Sequence, residues 1–225
     1  MCNSDQGVAG NRDITPLFAR LFADLEISKR ETSYDGPQID TVSALIESYV
    51  VGLNRGIKEA RLPDHKILTL AKWISWIEIK PTLKPRVMAR AELIKAAGGE
   101  EFTDEVQDYL ERKLRFLRSV DGTGERFRVS FDPVAEHLAA SCVLASAAEG
   151  KLRDLEDMLK YVSTLVDGEL MKKSGFLVAL WEAWNPLKDS VRLRNDRLNK
   201  ERDRIADIVR QLGSANGPPK ESAAG

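Results

Sequence analysis

The chain has 225 residues, 43% of them hydrophobic and 31% charged, with 34 Lys+Arg against 35 Asp+Glu for a formal net charge of -1. That length allows one domain or two small ones with a real hydrophobic core. The even charge balance gives no global electrostatic case for nucleic acid or an anionic membrane. Cys2 and Cys142 are the two cysteines, which excludes a disulfide framework and a Cys-rich metal site and fits a reducing cytosol. His65 and His137 lie too far apart to form a paired zinc motif.

The opening segment, MCNSDQGVAGNRD, is polar where a secretory signal has a basic patch and an apolar run. No uncharged apolar stretch approaches the roughly 18–20 residues of a membrane helix. The expected location is the cytoplasm, with no membrane partner.

Residues 1–13 and 214–225 are polar and rich in small residues, and disorder is expected at both ends. A helical segment spans 14–62. In its first helix Thr15 is the expected cap, Pro16 opens the first turn, and Leu17, Phe18, Leu21, Phe22 and Leu25 share a face. In its second helix Val42, Leu45, Ile46, Tyr49, Val50 and Leu53 recur at helical spacing, and the helix runs on towards Ala60 past Gly52 and Gly56. Residues 63–148 form the next unit. Pro63-Asp64 opens a helix with Ile67, Leu70, Ala71, Ile74 and Ile77 on one face, and Pro85 begins another that Gly98-Gly99 ends. FTDEVQDYLERKLRFLRSV predicts a third helix with Val106, Tyr109, Leu110, Leu114 and Leu117 inward. After the turn DGTG, Phe127, Val129 and Phe131 alternate with Arg126, Arg128 and Ser130, as in a half-buried strand. Residues Phe116 to Val120 are its expected antiparallel partner, making a two-stranded hairpin the only sheet. Asp132 is the expected N-cap of a following helix, with Pro133 in its first turn. Residues 149–213 are read as further helices, with Leu152, Leu155, Leu159, Val162 and Leu165, then Phe176, Leu177, Leu180, Trp181 and Trp184, then Ile205, Ile208, Val209 and Leu212 as apolar stripes. The fold class is therefore mainly α, a helical bundle containing a winged-helix-like unit with one small β-hairpin.

No motif for catalysis, cofactor or metal emerges. Gly52 to Lys58 imitates a phosphate loop, but the glycine spacing is one short, Glu59 replaces the hydroxyl, and no strand precedes it. Gly122-Thr123-Gly124 is a hairpin turn, not a dinucleotide fingerprint. The pairs Glu100-Glu101 and Glu156-Asp157 read as solvated surface. Cys142 reads as a small buried hydrophobe, and His137 as a packed or partly exposed helical histidine. Trp73, Trp76, Trp181 and Trp184 have the spacing of core and helix-interface residues.

Three stretches, LIESYVVGLNR (45–55), AKWISWIEIKPTLKPRVMARAELIKAAGG (71–99) and RFRVSFDPVAEHLAA (126–140), resemble the segment that follows the nucleotide-binding core in bacterial NACHT-type members of the STAND class of signal-transduction ATPases. The third is similar to that family's "F-x-F-x-x-D-P-V-A-E-Y-L-A-A" ending of the winged helix, with Asp132, Pro133 and Glu136 retained. GFLVALWEAW (175–184) also resembles a downstream helix of the family. The likeness covers roughly residues 37–185. The chain lacks the family's Walker A and Walker B motifs. Phe131 stands where the wider family places a phosphate-sensing histidine, and His137 stands at the motif's tyrosine position.

The resemblance implies a non-catalytic regulatory or interaction module that docks on a P-loop ATPase in trans, or once did so in cis, with no cofactor. The alternative is a DNA-binding winged helix using Arg112, Lys113, Arg115, Arg118, Arg126 and Arg128 against phosphates. The acidic start of the third helix, with Glu101, Asp104, Glu105, Asp108 and Glu111, opposes base reading there. Solvated i, i+4 ion pairs account for the same cations without a ligand.

Overall fold

The computed structural model describes residues 23, 41–58, 61–96, 102–185 and 196–215. The expected first helix and both expected disordered ends lie outside them, save for Ala23 and, at the C-terminal end, residues 214–215, which are helical. The chain divides into two units, Met1–Asp40 and Thr41–Gly225, and the described elements below belong to the second.

The second unit opens with helix α1, Val42–Arg55. It begins where the Thr41 hydroxyl accepts the Ala44 N–H at 3.1 Å, and it buries Leu45, Ile46 and Val50. It stops at Arg55 rather than running on to Ala60. Helix α2, Asp64–Ile79, starts directly after Pro63 and buries Ile67, Leu70, Ala71, Ile74, Trp76 and Ile79. Leu83 closes it in the left-handed region, φ 54, donating its N–H to the Ile79 carbonyl at 2.7 Å with its own side chain fully buried.

The helix expected from Pro85 onwards is corrected by the structure. Strand β1, Met88–Ala89, comes first, and helix α3 occupies only Arg90–Ala96. Met88 gains complete burial by pairing with Phe127, and that tertiary gain overrides its local helical preference. Helix α4, Asp104–Asp108, capped by the Thr103 hydroxyl, widens into a π-helical segment at Tyr109–Lys113. Strands β2, Leu117–Ser119, and β3, Arg126–Val129, follow. The sheet is antiparallel with strand order β1-β3-β2, so the expected lone hairpin carries a third strand.

Helix α5, Asp132–Ala148, is the centre of the bundle. Its alanines 135, 139, 140 and 147 are fully buried, and such small side chains let α2 and the later helices approach closely. Helices α6, Arg153–Thr164, α7, Asp167–Met171, α8, Ser174–Trp184, and α9, Asp196–Ala215, complete the chain. Leu155, Met158, Leu159, Val162, Phe176, Leu177, Leu180, Trp184, Ile205 and Val209 join the core against α5.

Asp132 is not the N-cap. Phe131 takes the extended cap conformation, φ -133 and ψ 119, and its carbonyl accepts the Ala135 N–H at 3.0 Å. Asp132 is already helical, and its carboxylate pairs instead with Arg128, four residues back on β3. Phe131 is likewise not in the core: the strand ends at Val129, and Phe131 is 46% exposed. Its partners in the alternation, Phe127 and Val129, are buried as expected. The Asp132–Arg128 pair is partly exposed, so Asp132→Ala should cost about 0.3–1 kcal/mol, the range for a surface pair plus helix-dipole loss. Asp132→Asn should cost about as much as Ala, and molar salt should shrink both losses. Urea denaturation of the three proteins at low and high salt checks this; an Asn variant as stable as wild type would restore the capping role.

Candidate functional site

The β2–β3 hairpin presents two faces. Register places Leu117 opposite Val129 and Ser119 opposite Phe127 on the core side, and Arg118 opposite Arg128 on the solvent side. Arg126 shares that solvent side, beside Val120, whose N–H bonds the Arg126 carbonyl at 2.9 Å. Arg112, Lys113 and Arg115 are exposed at the hairpin's base. Two of these six cations have carboxylate partners at i, i+4: Arg112 with Asp108 at 3.0 Å, and Arg128 with Asp132. Lys113 lies 5.8 Å from the Tyr109 ring centre. Asp104 and Asp108, the acidic start of α4, are held by Arg90 and Arg112.

Beneath the sheet sits a carboxylate that the motif search along the sequence missed. Even-numbered residues of β3 bond to β2, while odd-numbered ones face β1, which is only two residues long. The Val129 N–H therefore lacks a strand partner, and Glu78 Oε2 from α2 accepts it at 3.0 Å. Glu78 is fully buried, and its Oε1 makes no hydrogen bond. Burial raises its carboxyl to about 7, against the opposing pull of the Val129 N–H and the Arg128 charge.

The start of α5 carries the other motif residues. Pro133 fills the first turn, where a missing N–H leaves no bond unmade. Glu136, one turn beyond Asp132, has its carboxyl raised to about 7 by burial, with repulsion from Asp132 adding to it. Its carboxylate presses on Gly175 in the first turn of α8, where a Cβ would stand 2.3 Å from either oxygen. Deeper along, His137 is buried, with Nδ1 3.4 Å from the Ser43 hydroxyl of α1 and Nε2 3.7 Å from Glu182 of α8. These are residue types of a nucleophilic triad, but Ser43 is only 8% exposed, too little for a substrate to reach its hydroxyl. The arrangement pins three helices together.

Asn54 plays the same part at the other end of α1. It is fully buried, donates to the Leu62 carbonyl at 2.8 Å and to Asp64 at 2.6 Å, and accepts from the Tyr109 hydroxyl at 2.5 Å. Glu78, Asn54 and Ser43 each left a readable signal, a polar residue on the apolar stripe of its helix. Glu78 follows Ile67, Leu70, Ala71 and Ile74 at helical spacing, and Asn54 follows Ile46 and Val50.

The remaining candidates resolve into packing. Trp76 and Trp184 are buried, Trp76 stacking on Phe176 at 6.3 Å, and Trp73 and Trp181 are half-buried. Half-buried Cys142 packs on the core, and burial pushes its thiol up to about 11. A shallow cleft of about 110 Å³ lies between Trp76, Lys80, Asp154 and Tyr161. Burial opposes ionisation of Asp154 there, but hydrogen bonds from Lys80 at 2.8 Å and the Trp76 indole at 3.0 Å hold its carboxyl below the usual range. Among the described residues, no group of three or more His, Cys, Asp or Glu side chains is placed to hold a metal ion, and no helix is long and apolar enough to cross a membrane. Compared with known proteins, the chain matches no family model, no curated sequence and no solved structure.

The buried carboxylates make stability depend on pH. Glu78 and Glu136 titrate near pH 7 when folded, against an ordinary value of 4.5, so the folded protein binds the extra protons. Stability should therefore fall as pH rises from about 4.5 to about 7, by up to a few kcal/mol per group. Urea midpoints across that range should show the decline, and the Glu78→Gln, Glu136→Gln double variant should flatten it. A wild-type midpoint that climbs through this window would contradict the assignment. The contact between Glu136 and α8 has its own signature. Gly175→Ala should shift stability by less than about 1 kcal/mol, because its methyl meets only the end of the Glu136 side chain, which must swing aside, while alanine is the better helix former. In a Glu136→Ala background the same substitution should be more stabilising, giving a non-additive double-mutant cycle.

Proposed function

We propose that this chain is a non-catalytic regulatory module, built round a winged-helix-like unit, that docks on a P-loop ATPase in the cytoplasm. The observation that carries this reading is topological. Helix α2, strand β1, helices α3 and α4, and strands β2 and β3 follow in that order, with β3 central in the sheet. A helical unit with such a wing is what the resemblance to NACHT-type proteins calls for, and its motif residues Asp132, Pro133 and Glu136 stand at the joint between hairpin and α5. Phe131, at the same joint, is apolar and exposed. It has no side-chain donor for a phosphate, so its contribution on this reading is contact area against the partner.

Co-expression with a P-loop ATPase encoded beside it tests the reading. The two proteins should co-elute on size exclusion, and Phe131→Asp should weaken the complex at least about tenfold, the loss of about 1.4 kcal/mol. Calorimetry on the isolated chain should show no ATP binding. Failure to co-elute with any such ATPase, or micromolar nucleotide affinity for the chain alone, would reject the proposal.

A further inference from the structure

Charge balance does not explain how the hairpin's cations are distributed. Between Tyr109 and Ser130 there are six Lys+Arg, at 112, 113, 115, 118, 126 and 128, and three Asp+Glu, at 111, 121 and 125, in a chain whose net charge is -1. Two of the six form the i, i+4 pairs that a solvated surface would supply. Among the described residues, Lys113, Arg115, Arg118 and Arg126 lie within ion-pair distance of no carboxylate.

Holding these charges together has two structural costs. Arg118 faces Arg128 directly across the strands, an arrangement that destabilises a sheet unless something anionic intervenes, and Asp132 reaches only Arg128. Arg115 adopts φ 54 while exposed. Leu83 adopts the same φ but buries its whole side chain in exchange. At position 115 glycine would relieve the backbone, and the side chain it removes is an exposed one.

We propose that the solvent face of the β2–β3 hairpin and its base bind the phosphate backbone of nucleic acid without regard to base sequence. Arginine forks match phosphate oxygens bidentately, and Arg118 and Arg126 lie diagonally across the two strands on one face, about 7–8 Å apart. A protein partner would call for an apolar centre to the patch; on the solvent face of the strands the one large exposed apolar residue is Val120, while exposed Phe131 lies past the end of β3 at the joint with α5. The start of α4, where a base-reading helix makes its contacts, is acidic at Asp104, Glu105 and Asp108. Contact is thus confined to the backbone.

Fluorescence anisotropy with a labelled DNA duplex of arbitrary sequence, and with a single strand of equal length, tests this on the full chain. At low salt either probe should bind, with a log–log salt slope of about -3 to -4 for four neutralised phosphates. Arg118→Glu combined with Arg126→Glu, both at exposed positions, should weaken binding at least about tenfold. Arg153→Glu, exposed on α6, should leave it unchanged. Arg115→Gly should raise the urea midpoint while lowering affinity, a split that a purely structural role would not produce. Circular dichroism verifies that each variant folds. No binding to either probe at low salt, indifference to the double charge reversal, or tighter binding of poly-glutamate than of DNA would each overturn the proposal.

Discussion

The hydrogen bond from the Val129 N–H to Glu78 is the constraint on which the wing depends. Burying a carboxylate costs several kcal/mol unless its lone pairs are used, and here one oxygen is used and the other is not. The sheet explains why that cost is borne. Because β1 ends after two residues, the central strand would otherwise bury an orphan N–H just where it must turn into α5. Glu78 extends from α2, whose apolar face is the largest partner of α5, and so ties the sheet directly to the bundle. Shortening β1 and burying Glu78 are one structural decision.

The same logic recurs where the helices meet. Asn54 spans the gap between α1, α2 and the π-helical segment, with its amide and carbonyl both engaged. His137 lies between Ser43 of α1 and Glu182 of α8. An alanine-lined helix such as α5 offers little shape to fix the rotation of its neighbours, since small side chains leave shallow ridges. Polar contacts placed on the apolar stripes supply the direction that packing alone lacks. They fix where α1 and α8 sit around α5, and the Arg128–Asp132 pair then fixes the hairpin against the start of that helix.

Much of this was legible from residue pattern. The faces of α1, α2, α6 and α8, the hairpin at residues 117–129, and the inward pair Phe127 and Val129 follow from apolar periodicity, because each face is set by burial that local spacing already encodes. What escaped are features created by partners distant in sequence. Met88 becomes a strand residue only because Phe127 lies beside it, and Pro85 reads locally as a helix start. Asp132 has the ideal chemistry for a cap, yet Arg128 competes for its carboxylate and Phe131 takes the cap conformation. The widening at Tyr109–Lys113 shares its residue preferences with an ordinary helix, so pattern reading gives one continuous helix there. The site fared similarly: the six cations were identifiable, but which of them lack partners is a property of the folded hairpin.

The two left-handed residues show how stability and function divide this molecule. A side chain in that region costs about 1–2 kcal/mol relative to a right-handed one. For Leu83 the burial of a leucine side chain, about 1.5–3 kcal/mol, offsets the strain completely, so the position needs no explanation beyond packing. Arg115 recovers nothing of the kind, since its side chain is exposed and makes no ion pair with a described residue. Its backbone geometry is still required, because the Arg115 carbonyl accepts the Ser130 hydroxyl at 2.8 Å where β2 departs from the helix. The fold thus demands the turn but not the arginine. On the phosphate-binding reading, the exposed Arg115 guanidinium contacts the ligand while its backbone serves the fold, and Arg118, beside Arg128, lies on the same hairpin.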